Sequence, residues 1–122
     1  MRILGQRWEY RIGNSIVMVD NAFSWSGWGQ ERLVVNGETA RQAGGWFGIY
    51  RSFNESWLTQ LGEGELRAVL TVRLRGIACA VTLDGQPVEP EAYWTASWKG
   101  GRYDWPPETD WSEALARSWI VR

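Results

Sequence analysis

Apolar and polar residues alternate with a period of two over several segments of the chain. The clearest segment runs from Leu66 to Leu74, where apolar residues at even positions alternate with mostly polar residues at odd positions. The alternation starts again after Gly76 and continues from Ile77 to Leu83. Because successive side chains of a strand point to opposite faces, this pattern predicts two adjacent antiparallel strands with one buried face and one wet face.

Turn signals separate the apolar segments at intervals of about eight to twelve residues, which is typical of a sandwich or a barrel. Asn36-Gly37 and Asp84-Gly85 favour the positive φ angles that a tight hairpin requires, and Gly13-Asn14 marks a further turn. The sequence therefore predicts an all-β fold, an antiparallel β-sandwich of about seven or eight strands. Besides the pair described above, the predicted strands include residues 8–12, 16–19, 32–35, 46–53 and 93–98.

The C-terminal end of the chain has a different pattern. Pro106-Pro107 ends any strand, because proline cannot donate a hydrogen bond to a sheet. Asp110 and Glu113 then have the spacing of a capping box, which favours the start of a helix. Apolar residues follow at helical spacing, at Trp111, Leu115 and Trp119. We therefore predict a short helix over about 111–119, in a single domain (1–122) that consists of a sandwich (8–98) and a proline-containing tail (99–122) with that helix.

The composition fits one small globular domain and argues against several function classes. The 122 residues carry a net charge of −1, so no long-range attraction to nucleic acid is expected. No apolar stretch has the length of a membrane helix or a signal peptide, which predicts a cytoplasmic protein that does not bind membranes. Lys99 is the only lysine beside twelve arginines, and we interpret this bias as that of a GC-rich bacterial genome.

The sequence offers no common catalytic or metal centre. Histidine is absent, which excludes Ser-His-Asp and Cys-His arrangements. Cys79, the only cysteine, lies at an inward position of a predicted strand, where a buried thiol is inert. Charged groups near turns or on a wet strand face are expected to be solvated or to cap turns; they include Asp104, Glu108, Asp110, Arg67, Arg73 and Arg75. We therefore predict no enzyme activity, no metal and no cofactor.

Tryptophan is the unusual feature of the composition, with ten residues in 122. So many indole rings are difficult to bury in a domain of this size. Four of them fall on inward positions of the predicted strands and helix: Trp8, Trp46, Trp98 and Trp119. Four others fall in predicted loops or beside turns: Trp25, Trp28, Trp57 and Trp105. Either these four close the open ends of the sandwich, or they form a binding surface centred on the loop 21–29 and on the segment around Trp105.

The order of motifs resembles that of the Fas apoptotic inhibitory molecule family over roughly Trp8 to Pro90. In that order a tryptophan opens the first strand, and a turn, an apolar strand, a Ser-Gly pair, a hairpin strand, an aromatic strand and a glycine-led strand follow. The corresponding segments here are Trp8, Gly13-Asn14, Ile16–Val19, Ser26-Gly27, Arg32–Gly37, Trp46-Phe47 with Phe53, and Gly76–Gly85. The resemblance implies a single copy of a compact β-sandwich that takes part in protein–protein interactions and does not catalyse a reaction. The tail from Trp94 onward has no counterpart in the family.

Two function classes remain open. The first is a non-catalytic protein-interaction or structural domain, with an unknown protein partner or with self-association. The second is a tryptophan-rich carbohydrate-binding module, in which exposed indole rings stack on the faces of sugar rings of a glycan. The first is preferred, because carbohydrate-binding modules are usually secreted and the sequence has no recognisable leader.

Overall fold

The computed structural model describes residues 1–46, 55–73 and 76–114. Within these residues there are ten β-strands and one turn of 3-10 helix, and eight of the strands have seven or more residues. The elements in chain order are β1 (Arg2–Ile12), β2 (Ser15–Phe23), β3 (Trp28–Val35), β4 (Glu38–Trp46), β5 (Glu55–Leu61), β6 (Gly64–Arg73), β7 (Gly76–Leu83), β8 (Gln86–Val88), β9 (Ala92–Lys99), the 3-10 turn (Glu108–Asp110) and β10 (Ser112–Glu113).

The strands form two antiparallel sheets that pack face to face. The larger sheet has the strand order β10-β9-β1-β2-β3-β4, and the smaller sheet has the order β5-β6-β7-β8. Strand β9 returns to pair with β1, so that Arg2 lies opposite Lys99. The predicted all-β antiparallel sandwich is therefore confirmed, and the predicted pair β6 and β7 lies at the centre of the smaller sheet.

Hairpin turns occur at the three predicted dipeptides. Asn36 and Gly37 have φ angles of 51° and 85°, and Asp84 and Gly85 have φ angles of 48° and 82°. Few residues other than glycine, asparagine and aspartate adopt this left-handed conformation, because a Cβ atom then approaches the backbone. The turn at Gly13-Asn14 connects β1 to β2. These turns fix which residues lie opposite each other in the sheets.

The main core lies between the two sheets and follows the predicted alternation. In β6, Leu66, Ala68 and Leu70 are buried, whereas Arg67 between them is exposed. The other buried members of this core are Trp8, Tyr10, Ile12, Val17, Val19, Leu33, Trp57, Leu61, Ile77, Val81 and Tyr93. Removal of this apolar surface from water is the main force that holds the sheets together.

The predicted C-terminal helix is wrong for the residues that the structure describes. Trp111 has an extended backbone, with φ −79° and ψ 132°, and Ser112–Glu113 form β10 beside β9. The backbone N–H of Ala114 donates to the carbonyl oxygen of Tyr93 at 2.8 Å. The edge of β9 offers hydrogen-bond partners to this segment, so sheet pairing overrides the local helical pattern. The rest of the predicted helix, from residue 115, lies outside the described residues.

Candidate functional site

A segment that we name the strap, residues 100–114, crosses the outer face of the six-stranded sheet, which is turned away from the main core. At Gly5, a Cβ atom would lie 2.7 Å from the ring of Trp98 and 3.1 Å from that of Trp111, so only glycine lets both indole rings lie on the sheet. Apolar residues of the sheet and the strap form a second buried cluster of Ile3, Ala22, Ala96, Trp98 and Trp111, with Trp94 and Trp105 at its margin.

Four charged groups, which we name the arginine cluster, attach the strap to the sheet. Arg7 donates from Nε and Nη2 to the two carboxylate oxygens of Asp20, at 2.7 and 2.9 Å. From Nη1 and Nη2 it also donates to the carboxylate of Glu108 in the strap, at 2.7 and 3.1 Å. Arg32 donates from Nε to Asp20 at 2.8 Å, and its Nη2 lies 3.8 Å from Glu108 Oε2. Two positive and two negative groups thus compensate one another in a largely buried place.

Burial and ion pairing shift the pKa values of Arg7 and Glu108 in opposite directions. Burial lowers the pKa of Arg7, but its hydrogen bonds with Asp20 and Glu108 outweigh this effect, so the pKa is raised above the ordinary arginine value. The hydrogen bond from Arg7 is the largest effect on Glu108 and lowers the pKa of that carboxyl group. Arg7 and Glu108 are therefore both charged at neutral pH.

Indole rings cover the two guanidinium groups of the arginine cluster. The guanidinium carbon of Arg7 lies 4.4 Å from the centre of the Trp111 ring, and that of Arg32 lies 4.4 Å from the centre of the Trp105 ring. Each pair has the distance of a cation–π contact, which is strengthened where water is excluded. The strap is thus attached to the sheet by ion pairs and by stacked rings.

The structure separates the four tryptophans that the sequence placed in one binding surface. Trp25 is exposed at the tip of a turn, and Trp105 is half-buried in the strap. Trp28 and Trp57 are buried, so for these two rings the structure agrees with the packed alternative and not with the exposed one. The loop is shorter than predicted, because β2 extends to Phe23 and β3 begins at Trp28. Trp57 belongs to β5 and points into the main core.

The tryptophans predicted to point inward also differ from one another. Trp8 is buried in the main core, and Trp98 is buried under the strap on the outer face. Trp46 is exposed, because it is the last residue of β4 at the edge of the larger sheet. Trp119 and the remainder of the predicted strand over 46–53 lie outside the described residues.

The exposed rings of Trp46 and Tyr103 lie beside Trp28 at one end of the outer face, and the exposed Trp25 stands on the turn before Trp28, with its ring 5.3 Å from that of Phe23; we name Trp25, Trp46 and Tyr103 the aromatic surface. The ring of Trp28 lies 5.3 Å from that of Trp46 and 5.2 Å from that of Tyr103, at interplanar angles of 71° and 85°. At Gly44 a Cβ atom would lie 2.8 Å from the Tyr103 ring, so glycine is required for this approach. Sequence reasoning missed Trp46 and Tyr103, because the path of the strap is not visible in the pattern of β4.

A hydrogen-bonded turn presents Trp25. The N–H of Ser24 donates to the carbonyl oxygen of Trp28 at 2.8 Å, and the N–H of Gly27 donates to that of Ser24 at 2.9 Å. The hydroxyl oxygens of Ser24 and Ser26 lie 2.7 Å apart. Gly27 adopts a φ of 106°, and a Cβ atom there would lie 3.9 Å from the Trp46 ring. Trp25 and Trp46 therefore flank the same turn.

Sequence reasoning also missed the arginine cluster, although a signal for it was present. The turn at Gly13-Asn14 places Arg7 opposite Asp20, and the turn between Phe23 and Trp28 joins β2 to β3 and places Arg32 opposite Asp20. Arg7, Asp20 and Arg32 therefore lie in one row across three adjacent strands. This row can be recognised in the sequence only after the register of both hairpins has been assigned. The contribution of Glu108 comes from the strap and has no comparable signal.

Polar side chains are also buried on the inner face of the larger sheet. Gln6, Asn21 and Glu31 occupy opposite positions in β1, β2 and β3. The hydroxyl of Tyr93 donates to Gln6 Oε1 at 2.5 Å. The amide group of Asn21 has no hydrogen-bond partner within the described part of the chain. The main core is therefore polar at one end, which the period-two pattern did not reveal.

The Cys79 thiol does not have the properties of a nucleophile, and the carboxylates of Asp104 and Glu108 are held by hydrogen bonds. Cys79 is partly buried against the main core and receives a hydrogen bond from the hydroxyl of Tyr10 at 3.3 Å. Burial raises the pKa of the Cys79 thiol to about 12, so it stays protonated at neutral pH. Asp104 caps a turn by accepting from the N–H of Gly101 at 2.8 Å, as expected, whereas the expectation of a merely solvated or capping Glu108 is wrong.

No family model, no curated protein and no solved structure matches this chain. Among residues 1–46, 55–73 and 76–114, no group of three or more histidine, cysteine, aspartate or glutamate residues is placed to hold a metal ion. The same residues include no helix with the length and apolar character needed to cross a membrane. The function of the chain must therefore be inferred from its own geometry.

Proposed function

We propose that this chain is a non-catalytic protein-interaction domain that binds its partner through the aromatic surface. The observation that carries the proposal is the exposure of three large aromatic side chains, two of them beside the buried Trp28 ring and the third on the turn that precedes Trp28. Trp25 is 83% exposed, Trp46 is 49% exposed and Tyr103 is 44% exposed. Exposed apolar side chains that lie together mark interaction sites, and tryptophan and tyrosine contribute most to the binding energy of protein interfaces.

The support beneath the aromatic surface favours binding. Trp28 is buried under two of its rings, and the hydrogen bonds of Ser24 and Gly27 hold the turn that carries the third. Rigid aromatic side chains lose little conformational entropy when a partner covers them. A surface that is already fixed in the free protein binds with a smaller entropic cost.

A carbohydrate-binding module is the alternative function, and the exposed indole of Trp25 favours it. The exposed hydroxyl group of Ser26 lies in the same turn and offers a hydrogen bond to a sugar, whereas Ser24 is buried. However, the rings of Trp46 and Tyr103 stand at 71° and 85° to that of Trp28, so the three rings together do not form one flat platform. An uneven surface of this kind suits the side chains of a protein better than an extended sugar chain.

The proposed role extends the resemblance to the Fas apoptotic inhibitory molecule family, whose domains are expected to act in protein–protein interactions. The protonated Cys79 thiol and the ion pairs that Asp20 and Glu108 form with Arg7 agree with a role that does not involve catalysis. In a bacterial cytoplasm, which the composition favours, the partner is another cytoplasmic protein or a second copy of this chain.

Replacement of Trp25 tests the proposal. Trp25→Ala is expected to change the free energy of unfolding by less than about 0.5 kcal/mol, because surface substitutions rarely affect stability. The same change, alone or with Trp46→Ala, is expected to weaken partner binding at least tenfold, or about 1.4 kcal/mol. Affinity capture from a lysate of the encoding organism, with quantitative mass spectrometry, measures binding to other proteins. Sedimentation equilibrium measures self-association, and a glycan array measures sugar binding.

Leu58→Ala is the matched control, because Leu58 is an exposed apolar residue on β5 of the other sheet. This variant is expected to retain all binding. The proposal is wrong if the double variant captures the same proteins as the parent chain and has the same oligomeric state. Glycan binding that disappears in Trp25→Ala would support the carbohydrate alternative instead.

A further inference from the structure

Three basic side chains lie at the same end of the larger sheet as the aromatic surface. This is the end where β1 and β3 begin and where β2, β4 and β9 end. Arg2 lies opposite Lys99 in the pairing of β1 with β9. Arg102, in the strap, has its guanidinium carbon 5.9 Å from the centre of the Trp28 ring. All three side chains are exposed, and we name Arg2, Lys99 and Arg102 the basic rim.

The turn that carries Trp25 contacts the start of β1. The hydroxyl of Ser26 donates to the sulfur of Met1 at 3.6 Å. On its other side, the carbonyl oxygen of Met1 accepts from the N–H of Gly100, the first residue of the strap, at 3.0 Å. Met1 thus lies between the turn and the strap and is followed directly by Arg2. The basic rim therefore borders the aromatic surface.

The positive charges of the basic rim are not neutralised within the described part of the chain. No carboxylate oxygen there lies within 4.0 Å of a nitrogen of these three side chains. Arg2 donates instead to the hydroxyl of Ser97 at 3.2 Å. Arg2 and Lys99 are like charges at directly opposite positions, which is a destabilising arrangement in a sheet. An anion that binds both side chains relieves this repulsion.

Exposed carboxylates are concentrated at the opposite end of the larger sheet. Glu63 accepts from the N–H of Asn14, in the turn between β1 and β2, at 3.1 Å. Asp84 accepts from the N–H of Glu65 at 2.9 Å, and Glu38 is the first residue of β4. The chain has a net charge of −1, but the fold leaves unpaired cations beside the aromatic surface. An acidic partner is repelled from one end of the protein and attracted to the other.

Two carboxylates near the basic rim restrict the kind of anion that fits. Asp104 caps the turn that contains Arg102, and Asp110 lines a cleft together with Ser97. A membrane surface or a nucleic acid brings a continuous array of phosphates, which would meet these carboxylates as well as the cations. A polypeptide can place single carboxylates on the cations and apolar side chains on the rings. The complementary ligand is therefore an acidic segment of a protein.

We propose that the partner covers the aromatic surface with an acidic segment, whose carboxylates pair with Arg2, Lys99 and Arg102 and whose apolar side chains pack on the three rings. This inference rests on the proposed function, which assigns binding to the aromatic surface, and adds the charge of the partner. The rings contribute most of the binding energy, and the basic rim selects which proteins bind, because exposed charges act mainly on specificity and on the rate of association.

The probe is a blocked seven-residue peptide, Glu-Asp-Leu-Phe-Asp-Glu-Leu, and its matched control is the uncharged peptide Gln-Asn-Leu-Phe-Asn-Gln-Leu. In a ¹H–¹⁵N NMR titration of the full chain at pH 7, the acidic peptide is expected to shift the indole N–H signals of Trp25 and Trp46. The shifts should saturate at about 1 mM, as expected for a short unstructured ligand. The uncharged peptide is expected to bind at least tenfold more weakly. Sodium chloride at about 500 mM should weaken the acidic peptide at least fivefold, because salt screens exposed charges.

Charge variants locate the ion pairs. Arg102→Gln, and the double variant Arg2→Gln with Lys99→Gln, are each expected to weaken binding of the acidic peptide at least threefold. Arg67→Gln is the matched control, because Arg67 is an exposed arginine on β6 of the other sheet, and it is expected to leave binding unchanged. Trp25→Ala is expected to weaken binding of both peptides.

The inference is overturned if the two peptides bind equally, if neither causes shifts up to about 20 mM, or if the charge variants bind like the parent chain. It is also overturned if phosphatidylserine vesicles or oligothymidylate bind more tightly than the acidic peptide and lose binding in the charge variants. The proposed function fails by a different result, unchanged protein capture by the double variant of Trp25 and Trp46. If that double variant loses the captured proteins and the charge variants retain them, the proposed function stands and this inference is wrong.

Discussion

The main core and the outer face of the larger sheet are both buried, but different residues fill them. Between the sheets, aliphatic and aromatic side chains such as Leu33 and Leu66 pack against one another. Under the strap, Arg7 and Asp20 are as inaccessible as these leucines, and the indole ring of Trp111 covers the guanidinium group of Arg7. One face is closed by a second sheet and the other by a single crossing segment. The difference teaches that a charged residue at an alternating strand position, such as Arg7 or Asp20, does not always mark a wet face.

The two regions also differ in what holds them. In the main core, removal of a side chain leaves a cavity, and the cost depends on how far the neighbours collapse. In the arginine cluster, removal of one carboxylate leaves a buried guanidinium without its partner, which costs more than the pair itself contributes. Substitutions in the two regions should therefore destabilise the protein for different reasons: a cavity in the main core, and an unpaired buried charge in the arginine cluster.

Among the substitutions that test this comparison, Asp20→Ala is expected to lower the free energy of unfolding most. It removes the acceptor of three hydrogen bonds, two from Arg7 and one from Arg32. The free energy of unfolding, measured with urea, should fall by about 3–5 kcal/mol. Glu91→Ala is the control, because Glu91 forms an exposed ion pair with Arg11 at 3.4 Å and should contribute less than about 1 kcal/mol. Similar losses in both variants would mean that the arginine cluster is not a structural centre.

Gly5→Ala is expected to have a smaller effect and to act on the strap alone. The added Cβ atom would lie 2.7 Å from the Trp98 ring, so both the ring and the strap must move. Overpacking of this kind costs about 1–3 kcal/mol, and the near-ultraviolet circular dichroism of the indole rings should change with it. Gly62→Ala is the control, because a Cβ atom at Gly62 meets nothing within 4 Å. An unchanged melting temperature in Gly5→Ala would contradict the close contact between strap and sheet.

Glu108→Gln is expected to have the smallest effect, and that effect should depend on pH. Glu108 is 65% exposed, so its ion pair with Arg7 should contribute about 0.2–1 kcal/mol at neutral pH. Because the pKa of Glu108 is lowered in the folded protein, this contribution is complete above the ordinary value of 4.5. It is lost as the pH falls through the lowered pKa.

The difference in unfolding free energy between the parent chain and Glu108→Gln should therefore be constant above about pH 5 and disappear in acid. Urea unfolding at a series of pH values measures it. A difference that persists unchanged at low pH would show that the carboxylate of Glu108 does not hold the strap.

The strands and turns could be predicted because their signals are local. The face of β6 and the hairpins at Asn36-Gly37 and Asp84-Gly85 follow from alternation and from positive φ angles, which a few neighbouring residues decide. The helix was predicted by the same kind of local pattern and failed. Ser112–Glu113 found hydrogen-bond partners on β9, which lies well before them in the sequence. Local preference is weak where a distant edge strand offers pairing.

The candidate site could be predicted only in part, for the same reason. Trp25 was one of four tryptophans for which the sequence left burial and exposure open; serine and glycine around it favour a surface turn, and it is the most exposed of the four. Trp28 and Trp57 looked equally exposed in sequence, but the ends of β3 and β5 include them and turn their rings toward covered faces. A shift of one or two residues in a strand boundary changes which rings a partner can reach.

The sequence by itself determined the all-β character of this protein, its hairpins and the buried face of its central strands, because each depends on contacts between near neighbours. Only the tertiary structure decided that Arg7 and Asp20 are buried and that the rings of Trp46 and Tyr103 lie next to Trp28. The carboxylate that completes the arginine cluster lies 101 residues from Arg7 along the chain. Contacts over such a separation are fixed by the path of the strap across the sheet, and residue patterns within a strand carry no information about that path.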